Sequence, residues 1–233
     1  MAAGVASALT SCYAAVCERI VAACRRAGRP PESVRLVAVT KSVTAAAIRA
    51  VAAAGACRFG ENYVQEWRAK RAQLIDLAGL EWHFIGRLQR NKARLISEFA
   101  LVHTVADHDG AAALDRESAR RGRILPVLVQ VNLAGETTKA GVDPAALPEL
   151  LAALRRLESL RVEGLMTIPP ALPAEETRPL FRALRALRDR QEGADELREL
   201  SMGMSADFEV AIEEGATLVR IGTALFGPRE EAT

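Results

Sequence analysis

The sequence predicts a TIM barrel of the α/β class, a closed sheet of eight parallel strands surrounded by helices. Short apolar runs alternate with longer amphipathic stretches along the chain, which is typical of parallel β/α units. About eight such units fit in 233 residues, the length of one barrel. An open doubly wound sheet is the alternative, but no G-x-G-x-x-G motif follows the first apolar run. We expect a single domain over residues 1–233.

The elements follow from this alternation. The predicted strands are, in order, RLVAVTK, CRFGEN, EWHFIGRL, LVHTVAD, ILPVLVQVN, RVEGLMTI, ELSMGMS and TLVRIGTALFG. The stretches between them have apolar residues at helical spacing. Several of these predicted helices end in a glycine of the kind that caps a helix C-terminus, at Gly55, Gly122, Gly193 and Gly215.

Residues 1–28 precede the first strand and predict an extra amphipathic helix that packs on the barrel. This segment has no basic start, and hydroxyl residues interrupt its apolar stretch, so we do not interpret it as a secretory signal. No apolar run approaches the roughly 20 residues of a membrane span. The expected location is therefore cytoplasmic. The cysteines are predicted to be reduced thiols in the core, at Cys12, Cys17, Cys24 and Cys57.

The charge composition limits the classes of partner. Lys and Arg number 31 and Asp and Glu number 29, a formal net charge of +2, which gives no electrostatic case for nucleic acid or an anionic membrane. Nearly all the positive charge is arginine. An arginine stays protonated, whereas a desolvated lysine can lose its proton and become a nucleophile. The few lysines are therefore candidates for chemistry: Lys41, Lys70, Lys92 and Lys139.

Lys41 follows the first predicted strand and is the strongest of these candidates. Side chains alternate along a strand, so Val37, Val39 and Lys41 share one face. The active sites of TIM barrels are built at the C-terminal ends of the strands. An amine there, partly desolvated, can attack a carbonyl group to form a Schiff base. A rim lysine that simply points into water fits the position equally well.

A second signal lies near the end of the chain. The stretch SMGMSADF passes from the seventh strand towards a helix and contains Ser205, and RIGTALFG places Gly222 and Thr223 just after the eighth strand. Loops after strands seven and eight of TIM barrels often bind phosphate through backbone N–H groups and short hydroxyls. Each glycine alone is more typical of a turn. Together with Lys41, these residues predict a site for a phosphorylated carbonyl compound.

Arg220 helps to choose between two such ligands, a sugar phosphate bound by a Schiff-base aldolase and pyridoxal 5′-phosphate (PLP). Leu218, Arg220 and Gly222 share one strand face, so Arg220 can point inward beside the phosphate; an outward surface arginine is the alternative. A guanidinium can only donate hydrogen bonds, so beside a pyridine nitrogen it keeps that nitrogen unprotonated. PLP held in this way is a weak electron sink.

The successive motifs LVAVTK, FGENYVQE, WHFIGRLQRNK, VNLAGETTKAG, GLMTIPP, LSMGMSADFEVAI and GATLVRIGTALFG resemble those of the PLP homeostasis proteins of the YggS type. The resemblance covers nearly the whole chain, in order. It implies a barrel like the N-terminal domain of alanine racemase, with PLP on Lys41. It also implies phosphate contacts from Ser205, Gly222 and Thr223, and Arg220 at the pyridine nitrogen. One departure is KSVTAAA, which lacks the proline expected after the lysine.

Weaker candidates complete the predicted cofactor site. Asn62 ends the second strand and His83 lies in the third, so both can face the cofactor ring, although His83 fits a core histidine equally well. Met166 fits the strand core better than a cofactor contact, and His103 is predicted to be structural. Lys139 lies in a loop of the family motif, with no role that we can derive.

The sequence thus predicts a cytoplasmic PLP-binding protein that buffers or delivers PLP and has no robust catalytic turnover. Apo forms of PLP-dependent enzymes are the expected recipients, and we predict a monomer that binds neither nucleic acid nor membranes. A PLP-dependent amino-acid racemase is the alternative, and a Schiff-base aldolase is a more distant one.

Overall fold

The eight predicted strands form a closed parallel barrel in chain order, which confirms the TIM-barrel prediction. The structure is a computed structural model that describes residues 2–136 and 140–228. The first and last strands close the barrel by pairing Val37 with Arg220 and Ala38 with Ile221. The strands are β1 Arg35–Val39, β2 Arg58–Glu61, β3 Glu81–Phe84, β4 Leu101–Val105, β5 Leu125–Gln130, β6 Leu160–Met166, β7 Glu199–Ser201 and β8 Leu218–Ile221.

Most helices occupy the stretches predicted between the strands, and the first is the predicted N-terminal helix. The last helix is an exception, because it lies in the run TLVRIGTALFG, which was predicted as the eighth strand. They are α1 Ala2–Arg26, α2 Ala45–Ala53, α3 Val64–Gln73, α4 Ala93–Ile96, α5 His108–Arg120, α6 Leu147–Leu154, α7 Ala174–Asp189, α8 Phe208–Glu213 and α9 Thr223–Phe226. Three of the glycines predicted to cap helices directly follow a helix C-cap and have a positive φ angle, at Gly55, Gly122 and Gly215. The prediction for Gly193 is wrong, because α7 ends at Asp189 and Gly193 lies in the turns that follow.

Hydrophobic residues are buried on both sides of the barrel wall. A small cluster inside the barrel consists of Val37, Leu101, Leu128, Met166 and Leu218. A much larger cluster joins outward-facing strand residues to the surrounding helices. Strands covered on both faces have nearly continuous apolar sequences, and this is why the strand pattern was readable from the sequence.

Helix α1 is anchored to the C-terminal half of the chain by charge and by apolar contacts. Arg19 and Arg26 form ion pairs with Glu209 and Glu213, at 3.1 and 2.8 Å. By length and composition alone, the segment Gly4–Arg26 is apolar enough to cross a membrane, with a mean hydropathy of 1.3. The prediction that no segment is this apolar is therefore wrong, because α1 is rich in alanine and poor in charge.

The prediction of free thiols is confirmed, since all four cysteines are unpaired. Their predicted place in the core is correct only for Cys24, which is buried. Cys12 and Cys57 are exposed, and Cys17 is partly exposed. Helix α1 packs on the protein along one face only, so cysteines spaced along it alternate between protein and solvent.

Candidate functional site

Lys41 lies just beyond the C-terminal end of β1, as predicted. Val37 is fully buried inside the barrel, and the alternation of side chains places Val39, the last residue of β1, on the same inner face. The chain turns sharply here: the Thr40 N–H donates to the Gly60 carbonyl at 2.9 Å, and the Val43 N–H donates to the Thr40 carbonyl at 2.9 Å. Lys41 is partly exposed, and its position suits an amine that meets a ligand at the rim.

A buried group of charged side chains lies directly behind Lys41. Lys70 of α3 donates from Nζ to Glu61 Oε1 at 2.6 Å, to the Thr40 carbonyl at 2.6 Å and to Glu66 Oε2 at 2.9 Å. Thr40 Oγ1 also donates to Glu61 Oε1 at 2.7 Å. Glu66 Oε2 in turn accepts from the Ser42 N–H at 2.9 Å. We call Glu61, Glu66 and Lys70 the lysine-loop cluster; the sequence analysis did not predict it.

The ionisation of Glu66 reflects this arrangement. Burial raises the pKa of the Glu66 carboxyl, but its hydrogen bonds with Lys70 and Ser42 and the charge of Lys41 hold the pKa below its ordinary value. Glu66 is therefore ionised at neutral pH. Its carboxylate lies within the electrostatic reach of two lysines, one of them the candidate nucleophile.

The turn after β8 brings together the three residues predicted to contact phosphate. The Ser205 hydroxyl oxygen accepts from the N–H groups of Gly222 and Ala224, at 3.3 and 3.2 Å. Thr223 lies between these two residues and is exposed. Two backbone donors thus converge on one oxygen, with a second hydroxyl beside them. This is a donor arrangement that suits the oxygens of a phosphate ester.

Gly203 allows the loop after β7 to pack closely against α8. Its φ of +92° lies in the region that favours glycine, and a Cβ there would lie 2.6 Å from Ala211 Cβ and 2.9 Å from Phe208 Cα. Its carbonyl accepts from the Arg220 N–H at 3.0 Å. Asp207 fixes the other end of the loop by accepting from the Met204 N–H at 2.6 Å.

Arg220 points inward, as predicted, and is only 4% exposed. Its guanidinium donates to Ser201 Oγ at 2.6 Å and to the Thr167 carbonyl at 2.8 Å. Burial lowers the pKa of Arg220 to about 10, partly offset by Asp207, so the side chain stays charged at neutral pH. The site therefore contains a fixed positive charge that can only donate.

Ser201 connects Arg220 to two buried histidines. His103 Nδ1 lies 2.8 Å from Ser201 Oγ, and His103 Nε2 lies 3.0 Å from His83 Nδ1. We call Arg220, Ser201, His103 and His83 the interior chain. Burial lowers the pKa of both imidazoles, well below the ordinary value for His103, so both rings are neutral at pH 7.

The donors in the interior chain can be assigned in order. Ser201 Oγ accepts from Arg220, and its own proton goes to His103 Nδ1, since no other acceptor for it is found among the described residues. His103 then donates from Nε2 to His83 Nδ1. This leaves the His83 proton on Nε2, which faces Glu81 Oε2 at 3.9 Å. The interior chain thus runs across the barrel from β8 to β3.

The weaker candidates have different surroundings. Asn62 follows β2 at the rim and is partly exposed. The backbone of Gly86 packs closely against it, since a Cβ at Gly86 would lie 2.0 Å from the Asn62 carbonyl oxygen. His83 is 2% exposed and hydrogen-bonded to His103, so it lies inside the barrel rather than at the rim. Met166 is a core residue, as expected. Lys139 lies outside the described residues.

The chain is similar over almost its full length to proteins of one family. The family model for the N-terminal domain of alanine racemase matches residues 13–230. A protein of Aquifex aeolicus named "Pyridoxal phosphate homeostasis protein" is 48% identical over 219 residues, which cover 92% of this chain and 96% of that protein. A protein of the same name from Pseudomonas aeruginosa is 47% identical over 230 residues, 96% of this chain and 97% of the relative.

Solved structures agree with these sequence matches. PipY of Synechococcus elongatus, solved with PLP bound, is 46% identical, with a TM-score of 0.80 over 91% of this chain and 100% of PipY. Alanine racemase of Corynebacterium glutamicum is 22% identical, with a TM-score of 0.66 over 94% of this chain and 63% of the racemase, and this likeness concerns the fold alone. The chain therefore belongs to the family of pyridoxal phosphate homeostasis proteins, built on the alanine racemase N-terminal domain fold.

Proposed function

We propose that this protein binds PLP as a Schiff base on Lys41 and that it buffers or delivers PLP in the cytoplasm rather than catalysing turnover. One observation carries the proposal: Lys41, Ser205 and the Gly222–Thr223 turn follow the neighbouring strands β1, β7 and β8 at the same end of the barrel, and Arg220 lies on β8. β1 pairs with β8 through Val37 and Arg220, so these strands reach the rim together. The names of the relatives and the PLP bound to PipY support it.

The residues present fit PLP group by group. Bound PLP supplies an aldehyde, which reacts with amines, together with a phosphate and a pyridine nitrogen. Lys41 provides the amine at the rim. The N–H groups of Gly222 and Ala224, with the hydroxyls of Ser205 and Thr223, provide donors for phosphate oxygens.

Arg220 provides a donor that matches an unprotonated ring nitrogen, because a guanidinium has no acceptor. Asn62 is placed to contact the ring from the rim. His83 would act from beneath the ring, through the interior chain, rather than from the rim. We propose that the protein is a monomer and that it delivers PLP to apo forms of PLP-dependent enzymes.

The test is spectroscopic and chemical. Purified protein that is incubated with PLP and then separated from unbound PLP should remain yellow, and borohydride should fix the label on the peptide that contains Lys41. Lys41→Ala should give no fixed label while it still binds PLP through the phosphate. A colourless wild-type protein would overturn the proposal. Label on Lys70, Lys92 or Lys139 would show that the site is wrongly placed.

A further inference from the structure

The lysine-loop cluster contains charged side chains that are not needed for contact with PLP. Glu61 is fully buried and Lys70 is 8% exposed, yet both belong to the layer between the barrel and α3. Removing two charges from water is costly, and a buried ion pair is weak evidence for a contribution to stability, since apolar residues in the same place often stabilise as well. A contribution to stability alone therefore does not explain the lysine at position 70.

The contacts of the cluster converge on the two peptide groups that flank Lys41. Lys70 Nζ donates to the carbonyl of Thr40, one residue before Lys41, at 2.6 Å. Glu66 Oε2 accepts from the N–H of Ser42, one residue after it, at 2.9 Å. Since Lys70 also bonds Glu66 at 2.9 Å, one ammonium fixes the backbone on both sides of Lys41.

The backbone conformation that the cluster holds is unusual. Ser42 has a φ of +61°, and it is the only residue other than glycine with a positive φ among residues 2–136 and 140–228. A serine in this region is strained and requires contacts that hold it there. The Ser42 N–H bond to Glu66 is such a contact. Without it, the loop can relax, and the base of the Lys41 side chain changes direction.

We propose that Lys70 is a positioning residue that, with Glu61 and Glu66, aims Lys41 at the carbonyl group of its ligand. This inference rests on the function proposed above. It adds residues that determine the rate and the equilibrium of the reaction of Lys41 with the aldehyde. Lys41 Nζ attacks the aldehyde carbon, and the carbonyl oxygen leaves as water when the C=N bond forms. Lys70 itself forms no bond to the ligand and acts only through the backbone of residues 40 and 42.

Three variants test the proposal. Lys70→Met removes the ammonium and keeps most of the side-chain volume. Glu66→Ala removes the Ser42 contact at a side chain that is 34% exposed, where folding tolerates truncation. Glu149→Ala, at an exposed position on α6, is the matched control.

Each variant is measured with PLP, with pyridoxine 5′-phosphate and in the ligand-free state. The rate of PLP capture is followed by absorbance, and the affinity for pyridoxine 5′-phosphate, which has no aldehyde, by calorimetry. Lys70→Met and Glu66→Ala should slow PLP capture by about tenfold or more, because the Lys41 amine loses its orientation. The affinity for pyridoxine 5′-phosphate, which does not react with the amine, should change by less than about twofold. In ligand-free protein, the Ser42 amide should exchange with deuterium faster in both variants than in Glu149→Ala.

The outcomes separate this inference from the proposed function. Wild-type protein without a Schiff base on Lys41 rejects the proposed function itself. Wild-type reaction at Lys41 with unchanged rates in both variants overturns the positioning role alone. Equal losses for the two ligands would show that the cluster supports the fold. If Lys70→Met does not fold, Glu66→Ala decides: slower capture supports positioning, and an unchanged rate overturns it.

Discussion

At the β1 end of the candidate site, charged side chains anchor the backbone around Lys41, whereas at the β7–β8 end backbone N–H groups converge on a hydroxyl. Lys70 and Glu66 bond the Thr40 carbonyl and the Ser42 N–H. Gly222 and Ala224 donate to Ser205 Oγ instead. We therefore expect the proposed amine end to depend on a few charged side chains. The phosphate end depends mainly on the course of the chain, so single substitutions there should cost less.

The interior chain runs from Arg220 of β8 to His83 of β3, and its histidines give the largest effect expected. The pKa of His103 is lowered in the folded protein, so on acidification the unfolded chain takes up a proton first. The stability contributed by a neutral His103 is complete above about pH 6.5 and is lost as the pH falls below it, by up to about 1.4 kcal/mol per pH unit for each such histidine.

Urea unfolding between pH 7.5 and 5.5 measures this loss. His103→Gln should flatten the pH dependence of the free energy of unfolding relative to wild type. His108→Gln is the control, because His108 is exposed on α5. Parallel pH curves for wild type and His103→Gln would contradict the neutral, buried histidine.

Replacing the hydroxyls at the phosphate end should have a smaller effect. Ser205→Ala and Thr223→Ala should each weaken PLP binding by about 0.5–1.5 kcal/mol, the usual contribution of one neutral hydrogen bond, because the backbone donors remain. Calorimetry with PLP and with unphosphorylated pyridoxal checks this, and the pyridoxal affinity should change much less. Equal losses with both ligands would mean that these residues support the loop rather than the phosphate.

The sequence was sufficient for the strands and for the placement of the rim residues. Strands such as LVAV are buried on both faces and therefore apolar throughout, and the barrel rule then places Lys41, Gly222 and Thr223 at one end. The rule depends on strand order and direction, which alternating β and α patterns determine.

Contacts between side chains distant in sequence were not predictable in the same way. His103 and Ser201 are 98 positions apart, and their contact depends on the curvature and stagger of the closed barrel. Lys70 follows Val64 and Trp67 at intervals of three residues, which places it on the buried face of α3, but this spacing does not show that its ammonium reaches Glu61 of β2. The scarcity of lysine marked it only as unusual. His83 was placed in the correct strand, and of the two positions left open for it, rim and core, the structure shows the core.

The smallest expected activity is amino-acid racemisation, because we expect this protein not to racemise amino acids at an enzymatic rate. Racemisation requires one base to remove the α-proton and another to return it on the opposite face. The β1 end offers one such base, Lys41. The β7–β8 end offers hydroxyls, backbone N–H groups and a guanidinium, none of which is a base at neutral pH, and the Asp207 carboxyl there is only 5% exposed and already accepts from the Met204 N–H at 2.6 Å. The chain's two tyrosines do not complete a pair: Tyr13 lies on α1, and Tyr63 is 58% exposed beyond β2.

Arg220 acts in the same direction, because an unprotonated pyridine ring withdraws electrons weakly from the bond that must break. Slow exchange of the α-proton with solvent, using Lys41 and water, remains compatible with this geometry. Incubation with L-alanine in deuterated water separates the two processes, because mass spectrometry detects deuterium uptake and chiral chromatography detects inversion. We expect slow deuterium uptake without comparable inversion. Inversion at enzymatic turnover, abolished by Lys41→Ala, would mean that the β7–β8 end supplies a second base, and that the protein is a racemase.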